Sequence, residues 1–379
     1  MNAEQNISTP PVGRMVAAIA LESIIRDHMP ASVRQSLDPA RVLEQFEATR
    51  LDSLDRLSFA GKVNAFFGVH ETGLEDNLLR SGRAADWVDI AWRSLGRAGP
   101  YISFETSGTT GDPKRVTQYL SDLLQETEEL SRIFGSVGRI ISTVSAKHIY
   151  GFLFTALLPE RLGVPRIDAR DAGASFWRSE PAEHDLIVSF PEYIQFLSDS
   201  RVALPGGSWI VTSTAPCPPV LWDRVRAAGA ESMSEVYGST ETGGIGVRHS
   251  KEDPFELFSY FSRSDDPVTL LRERPGGSST CVSLMDEIEW VDQRRLRPLR
   301  RRDGAVQIGG VNVSTETVAR KIQEHADVLG ARVWVDSKTG RLGARVRVTA
   351  SGDEAAVRGW IEDRLLTNEL PKALEIFRE

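Results

Sequence analysis

Residues 106–114 have the sequence Thr-Ser-Gly-Thr-Thr-Gly-Asp-Pro-Lys, and they follow the strand-like run YISFE. Two glycines let the backbone bend tightly around an anion, hydroxyl and N–H groups supply donors, and Lys114 adds a positive charge. The stretch does not contain the pattern GxxxxGK[ST], which disfavours P-loop NTPase chemistry. We therefore predict a phosphate cradle rather than an ordinary surface turn, formed by Thr106, Ser107, Gly108, Thr109, Thr110, Gly111 and Lys114.

A second glycine-rich stretch, Tyr-Gly-Ser-Thr-Glu-Thr-Gly-Gly at residues 237–244, follows the apolar-patterned run ESMSEV. A carboxylate beside hydroxyls, at the carboxyl end of a strand, suits a Mg²⁺ ion that is held against phosphate oxygens. Glu241 is therefore the predicted metal ligand. Alone, this pattern is a weak signal, and it gains weight in combination with the phosphate cradle.

In this order and separation, the two stretches resemble the motifs of the adenylate-forming superfamily. That superfamily contains acyl-CoA synthetases, aryl-CoA ligases, luciferases and the adenylation domains of peptide synthetases. The resemblance covers about residue 100 to the C-terminus, and among short members it is to the p-coumarate–CoA ligases of photoactive yellow protein chromophore activation or to relatives in phenazine biosynthesis. Further matches occur at Lys147-His148-Ile149-Tyr150-Gly151, Ser213-Thr214-Ala215-Pro216, Met285-Asp286 and Arg301-Arg302-Asp303-Gly304.

The resemblance implies ATP, Mg²⁺ and CoA as cofactors, with the cradle on the β and γ phosphates. Thr240 would contact the α-phosphate and Glu241 would hold Mg²⁺, so these two residues and Lys114 are the expected catalytic groups. Asp303 would be the hinge for a small C-terminal domain. The other implied nucleotide contacts are Ser213, Thr214, Ala215 and Pro216 along the adenine, Asp286 and Arg301 on the ribose, and Tyr237, Gly238 and Ser239.

The same resemblance places an acyl pocket between the His148 segment and the turn at Gly243 and Gly244. Small glycines beside Tyr150 and Tyr237 suggest a flat slot, which suits a planar ring better than a long alkyl chain. The expected substrate is an aryl carboxylic acid such as a hydroxycinnamate or a hydroxybenzoate. Simpler roles remain open: a histidine that packs or caps a helix, aspartates that form turns at 286 and 303, and a solvated arginine run at 300–302.

The pattern of apolar residues predicts an α/β fold. Residues 1–100 form a helical lead-in, and strands and helices alternate after Tyr101 as in a layered α/β core. Residues 251–300 are expected to form a β-rich subdomain, and the end of the chain a small α+β unit with Ser314 as the N-cap of a helix. We predict a large domain at residues 1–302 and a small domain at residues 303–379.

The composition argues against several classes of function and indicates the compartment. Lys and Arg number 45 against 53 Asp and Glu, a formal net charge of −8, so the chain is not expected to bind nucleic acid or an anionic membrane. Two distant cysteines without metal-ligand spacing are typical of a reduced cytoplasmic protein. The first 28 residues carry acidic and basic residues beside a short apolar run, which predicts neither a signal peptide nor a membrane span.

Two features depart from the family pattern. The region before the cradle is shorter than in ordinary members, and the closing sequence LTNELPKALEIFRE has no counterpart of the family's C-terminal lysine. Since that lysine stabilises the charge of the adenylation transition state, we expect slowed adenylation and preserved thioester formation, with CoA or a carrier protein as thiol acceptor. The alternative function is a binding protein that holds nucleotide and an aryl acid for a partner enzyme.

Overall fold

The computed structural model describes residues 8–28, 41–47, 51–106, 114–302, 305–308, 311–336 and 340–378. The helices, in chain order, are α1 Arg14–His28, α2 Val42–Gln45, α3 Ser53–Phe67, α4 Glu75–Arg80, α5 Ala84–Ser94, α6 Leu120–Ile133, α7 Ile149–Phe152, α8 Leu158–Leu162, α9 Ala174–Ser179, α10 Pro191–Asp199, α11 Pro219–Ala227, α12 Thr315–Gln323 and α13 Glu354–Arg364. A 3₁₀ turn covers Val69–Thr72, and a π-helical turn, Leu153–Leu157, joins α7 to α8.

The strands fall into several sheets, whose pairing is described below. In chain order they are β1 Tyr101–Thr106, β2 Lys114–Tyr119, β3 Arg139–Ser142, β4 Arg166–Asp168, β5 Asp185–Ser189, β6 Trp209–Thr212, β7 Ser232–Ser239, β8 Gly243–Arg248, β9 Phe255–Leu257, β10 Phe261–Arg263, β11 Thr269–Glu273, β12 Ser279–Ser283, β13 Asp286–Trp290, β14 Arg295–Arg301, β15 Ala305–Ile308, β16 Val311–Ser314, β17 Val328–Val335, β18 Leu342–Val348 and β19 Ala373–Arg378.

The described part of the lead-in is helical, as the sequence predicts. Asp52 caps α3 by accepting the N–H groups of Leu54 and Asp55 at 2.9 and 2.8 Å, and the left-handed Gly68 ends that helix. Aromatic rings hold the lead-in together, since Phe59 stacks on Trp87 with ring centroids 5.1 Å apart. Helix α1 is buried along most of its length, so the lead-in is part of the large core.

A central sheet positions the predicted site. Strands β4, β3, β5, β6 and β7 lie side by side in this order and are parallel, and β8, β9 and β14 continue the sheet in antiparallel fashion. One face packs against α9, α10 and α11. The opposite face contacts the end of α6, where the ring centroids of Phe134 and of Trp209 in β6 are 6.2 Å apart. Helices on both faces give the three layers that the sequence predicts.

The β-rich stretch at residues 251–300 is divided between sheets rather than forming a separate subdomain. Strand β9 pairs with β8 and so extends the central sheet, because Phe255 and Leu257 alternate with an exposed residue and are both buried. Strands β10, β11 and β12 form a separate antiparallel sheet of three.

The chain divides into two compact units, of which the second comprises residues 106–114, 284–290 and 297–379. Within it, the β15–β16 hairpin leads into α12, where the Ser314 hydroxyl accepts the Thr317 N–H at 3.1 Å and caps the helix as predicted. Strands β17, β18 and β19 form a sheet that packs on α12 and α13. In the described parts of both units, no helix has the length and apolar character that a membrane span requires.

Candidate active site

Two of the predicted nucleotide-binding segments lie next to each other. Residues 213–216 follow β6, residues 237–242 end β7, and these two strands are parallel neighbours. The Ser213 hydroxyl joins the segments by donating to the Val236 carbonyl at 2.9 Å. Ligands of open α/β sheets bind at the carboxyl ends of such strands, so the arrangement matches a binding crevice.

The first segment has an unusual backbone. Thr214 has φ = 77°, a left-handed conformation that is rare for a β-branched residue and costs free energy. Its position is fixed from both sides: Ser213 is bonded to β7, and the Cys217 N–H donates to Glu235 Oε1 at 2.9 Å. Burial raises the pKa of Glu235, although the nearby Arg248 guanidinium, 2.6 Å away, opposes that rise.

The second segment is a rigid turn between β7 and β8. Ser239 N–H donates to Thr242 Oγ1 at 3.1 Å, and Thr242 Oγ1 donates to the Gly243 carbonyl at 2.8 Å. Between them, Thr240 and Glu241 are half-buried. Among the residues that the structure describes, neither the Thr240 hydroxyl nor the Glu241 carboxylate has a side-chain partner.

This turn fits the predicted magnesium site. Within the described ranges, Glu241 is half-buried and forms no ion pair with Lys or Arg, so its carboxylate is available to a metal. Mg²⁺ characteristically takes one or two carboxylates together with phosphate and water. The described part of the chain has no group of three His, Cys, Asp or Glu side chains that could form an all-protein metal site. Glu241 therefore suits a metal that phosphate shares rather than one that the protein encloses.

Sequence reasoning missed Gln118, at the end of β2. Its buried side-chain amide donates to the carbonyls of Thr240 at 2.6 Å and Glu241 at 2.9 Å. The sequence carries no local signal for this contact, because the residues it joins are 122 and 123 positions apart along the chain.

Glu126 of α6 is a second missed residue. Its side chain is 2% exposed, and Oε1 accepts the Gly244 N–H at 2.9 Å. Burial raises the pKa of Glu126 to about 7, against the opposing effects of Arg272 and of the Gly244 hydrogen bond. A Cβ at Gly243 would lie 2.7 Å from Glu126 Oε2, and one at Gly244 would clash with Oε1. The space at both glycines is therefore occupied by this carboxyl group.

The His148 segment lies before α7. His148 is exposed, yet protein atoms crowd it, and this desolvation together with Lys147 lowers its pKa to about 4. Its side chain makes no capping hydrogen bond to the described start of α7.

Tyr150, in contrast, is buried. Its hydroxyl donates to the main-chain carbonyls of Ser189 and Val211, at 3.1 and 2.9 Å, and so ties α7 to strands β5 and β6. Burial raises the pKa of this hydroxyl well above its usual value. Tyr237, the other predicted aromatic, packs its ring on Phe255 with centroids 5.4 Å apart.

Helix α1 of the lead-in braces the His148 segment. Asp27 accepts a hydrogen bond from the Ser145 hydroxyl at 2.7 Å and pairs with Lys147 at 3.3 Å and Arg170 at 3.0 Å. The Ala146 N–H donates to the Ser23 hydroxyl at 3.2 Å. Although burial opposes ionisation, the cations and Ser145 hold the pKa of Asp27 below its usual value.

Asp27→Asn is expected to destabilise the protein by about 1–2 kcal/mol at pH 7, because Lys147 loses its ion pair with Asp27 and Arg170 keeps only its pair with Asp168. A depressed folded-state pKa contributes stability at neutral pH that is lost as the pH falls below about 3.8, so the difference from wild type should vanish in acid. Urea unfolding at pH 7 and in acid measures the loss of stability and its disappearance at low pH. Asp89→Asn, which removes a more exposed pair with Arg14, is the control. An Asp27 variant no weaker than this control would contradict the bracing role.

The remaining predicted residues belong to the second unit or lie outside the described residues. Thr106 ends β1 and Lys114 begins β2, which brackets the predicted cradle. Asp286 begins β13 and Arg301 ends β14, and the adjacent Arg302 N–H donates to Met285 O at 2.9 Å, so the two lie at one end of a hairpin. The predicted residues outside the described ranges are Ser107, Gly108, Thr109, Thr110, Gly111 and Asp303.

Comparison with known proteins decides the family. The family model described as AMP-binding enzyme matches residues 100–315. The chain belongs to this family. A 4-coumarate–CoA ligase from Halorhodospira halophila is 36% identical over 88% of this chain and 86% of its own length, and one from Cereibacter sphaeroides is 34% identical over 84% and 77%.

Structural comparison agrees on the fold. An amide bond synthetase from Marinactinospora thermotolerans superposes with a TM-score of 0.60 over 100% of this chain and 95% of its own, at 16% identity. The predicted α/β fold and the predicted resemblance to short 4-coumarate–CoA ligases are confirmed. With these relatives, the chain is an enzyme of the acid–thiol ligase class.

Proposed function

We propose that this AMP-binding enzyme activates an aryl carboxylic acid with ATP and passes the acyl group to CoA. In the first step a carboxylate oxygen attacks the α-phosphorus and pyrophosphate leaves, giving an acyl adenylate. In the second, the CoA thiol loses its proton and attacks the acyl carbon, and AMP leaves. Both steps balance without a covalent intermediate on the protein, so the side chains act by positioning and by charge stabilisation.

The observation that carries this proposal is the pairing of the segments after β6 and β7. The Ser213–Val236 hydrogen bond holds an adenine-side segment beside a turn that presents Thr240 and Glu241. Such an edge offers hydroxyl donors and one carboxylate to a bound nucleotide. Mg²⁺, when bound by Glu241, would neutralise phosphate charge.

The other assignments follow the family resemblance. In this proposal Thr240 contacts the α-phosphate and Lys114 the terminal phosphates, while Asp286 and Arg301 hold the ribose. Residues 303–379 act as a small domain that rotates about Asp303 between the two half-reactions. The neighbouring segment at 213–216 lies along the adenine, and its strained Thr214 is consistent with a backbone held for a ligand rather than for stability.

The proposed acid is planar and aromatic. In this proposal His148 forms one wall of the acid pocket, and its low pKa keeps the imidazole uncharged at pH 7 beside the aromatic part of the acid. Tyr150 acts behind this wall through its hydrogen bonds to β5 and β6, and Glu126 sets the position of the glycine turn. The two most similar relatives reported above are named for 4-coumarate, a hydroxycinnamate, which supports the same class of acid.

The test is acid-dependent pyrophosphate exchange, followed by thioester formation, with hydroxycinnamates, hydroxybenzoates and a long-chain fatty acid. We expect an aryl acid to be activated at least tenfold faster than the fatty acid. Faster activation of the fatty acid would overturn the aryl assignment. Nucleotide binding without either half-reaction, for every acid and for a synthetic acyl adenylate, would replace the enzyme proposal with the binding-protein alternative.

In this proposal CoA is the thiol that accepts the acyl group. Replacing CoA by a carrier protein that bears 4′-phosphopantetheine, in the thioester assay, tests the alternative acceptor. Cys217 and Cys281 are unpaired, which fits a reducing cytoplasm.

A further inference from the structure

The segment that follows the predicted phosphate cradle contacts the Thr240–Glu241 turn at two points. Gln118, at the end of β2, donates to the carbonyls of Thr240 and Glu241. Two turns of helix further on, Glu126 accepts the N–H of Gly244. Both side chains are buried, so these hydrogen bonds form away from competing water. We refer to Gln118 and Glu126 as the clamp residues.

Stability does not explain why Glu126 is a carboxyl group. A buried carboxyl costs free energy, and here it excludes any side chain at Gly243 and Gly244. Arg272 is the cation that acts on Glu126, and Tyr260 lies against the same glycine through a 3.3 Å hydrogen bond from its hydroxyl to the Gly244 carbonyl. The negative charges of Asp122 and Glu129 act on Tyr260. An apolar residue at position 126 would leave the buried Gly244 N–H without this acceptor, so the carboxyl group serves the turn rather than the packing of α6.

We propose that Gln118 and Glu126 are positioning residues for acid activation, which hold the turn at both ends and so fix the Thr240 hydroxyl and the Glu241 carboxylate. The inference rests on the proposed function. Gln118 acts on the carbonyls of the two functional residues, and Glu126 acts where the turn re-enters β8.

The consequence is kinetic. A turn of six residues, 239–244, keeps its internal Ser239–Thr242 hydrogen bonds without the clamp, but it loses the contacts that aim it. Misplacement of a reacting group by about 1 Å can cost on the order of 100-fold in rate. Loss of either clamp contact is therefore expected to weaken use of Mg²⁺ and to slow activation.

The test compares Gln118→Met and Glu126→Met, which remove the polar contacts at similar side-chain length, with Glu126→Gln, which retains an acceptor for Gly244. In pyrophosphate exchange, both Met variants are expected to raise the Mg²⁺ concentration for half-maximal rate at least fivefold and to lower kcat at least tenfold. In Gln118→Met, whose lost contacts are to the Thr240 and Glu241 carbonyls, the KM for the acid should change less than twofold. Glu126→Gln should stay within threefold of wild type. Glu128→Met, on the same helix but in exposed pairs with Arg161 and Arg132, is the matched control and should be unchanged.

A purely structural role predicts lower stability in the Met variants with unchanged Mg²⁺ dependence and kcat, and that result would overturn the inference. So would an equal defect in Glu126→Gln and Glu126→Met. Amide hydrogen exchange over residues 239–244 adds a readout that needs no activity: exchange should be at least tenfold faster in both Met variants and unchanged in Glu128→Met. If the wild type activates no acid, the proposed function fails, and the exchange result alone decides whether the clamp exists.

Discussion

Glu241→Gln is expected to slow acid-dependent pyrophosphate exchange by about 100- to 1,000-fold, because it removes the charge that the proposed site offers to Mg²⁺. Glutamine preserves the size of the side chain, and the turn itself is held by Ser239, Thr242 and Gln118, so the variant should fold like wild type. The defect should shrink as the Mg²⁺ concentration is raised. Steady-state exchange across a Mg²⁺ series measures both effects.

The control for this prediction is Glu252→Gln, which changes an exposed carboxylate on the same unit that accepts a hydrogen bond from Ser250. It should leave exchange within twofold of wild type. If Glu241→Gln exchanged as fast as this control at limiting Mg²⁺, Glu241 would not be the metal ligand.

The second large effect concerns stability and pH. The pKa of Glu126 is about 7 in the folded protein against 4.5 for an ordinary glutamate, so the folded state binds a proton more tightly. The stability this provides is fully present below about pH 4.5 and is lost as the pH rises through 7. A shift of this size corresponds to about 3 kcal/mol. Glu126→Gln cannot titrate, so its stability relative to wild type should rise by about that amount between pH 4.5 and 8.

Urea unfolding of both proteins across this pH range tests the prediction. In the difference between their free energies of unfolding, the contributions of the other titrating groups cancel. The low pKa of His148 acts in the opposite direction, since it removes stability as the pH falls from about 6.5 to 4, and it cancels as well. Glu128→Gln serves as the control for replacing a carboxylate of the same helix by an amide. If the difference in unfolding free energy between Glu126→Gln and wild type did not change with pH, the carboxyl group of Glu126 would be solvated in the wild type.

The sequence was sufficient to predict the parts of the molecule that depend on local pattern. Runs of apolar residues predict the strands that alternate with helices after Tyr101, and a single side chain predicts the Ser314 cap. The turn at 237–244 was predicted at the end of a strand and lies there. In each case the residues that decide the structure are within a few positions of one another.

Contacts between distant parts of the chain could not be predicted. Gln118 and Glu126 act on residues more than a hundred positions away, and neither belongs to a pattern of its own. The glycines at 243 and 244 suggested space for a substrate, but a buried carboxyl group fills that space from another helix. The division of residues 251–300 between two sheets likewise depends on which strand β9 pairs with.

The support that α1 gives to residues 145–148 has a consequence for N-terminal truncation of this protein. Asp27 and Ser23 support a segment more than a hundred residues downstream, yet neither is among the predicted substrate contacts. Because α1 is also buried along most of its length, loss of the residues up to His28 would remove part of the large core together with this support. Such a truncation is therefore expected to unfold the first unit rather than to remove one contact.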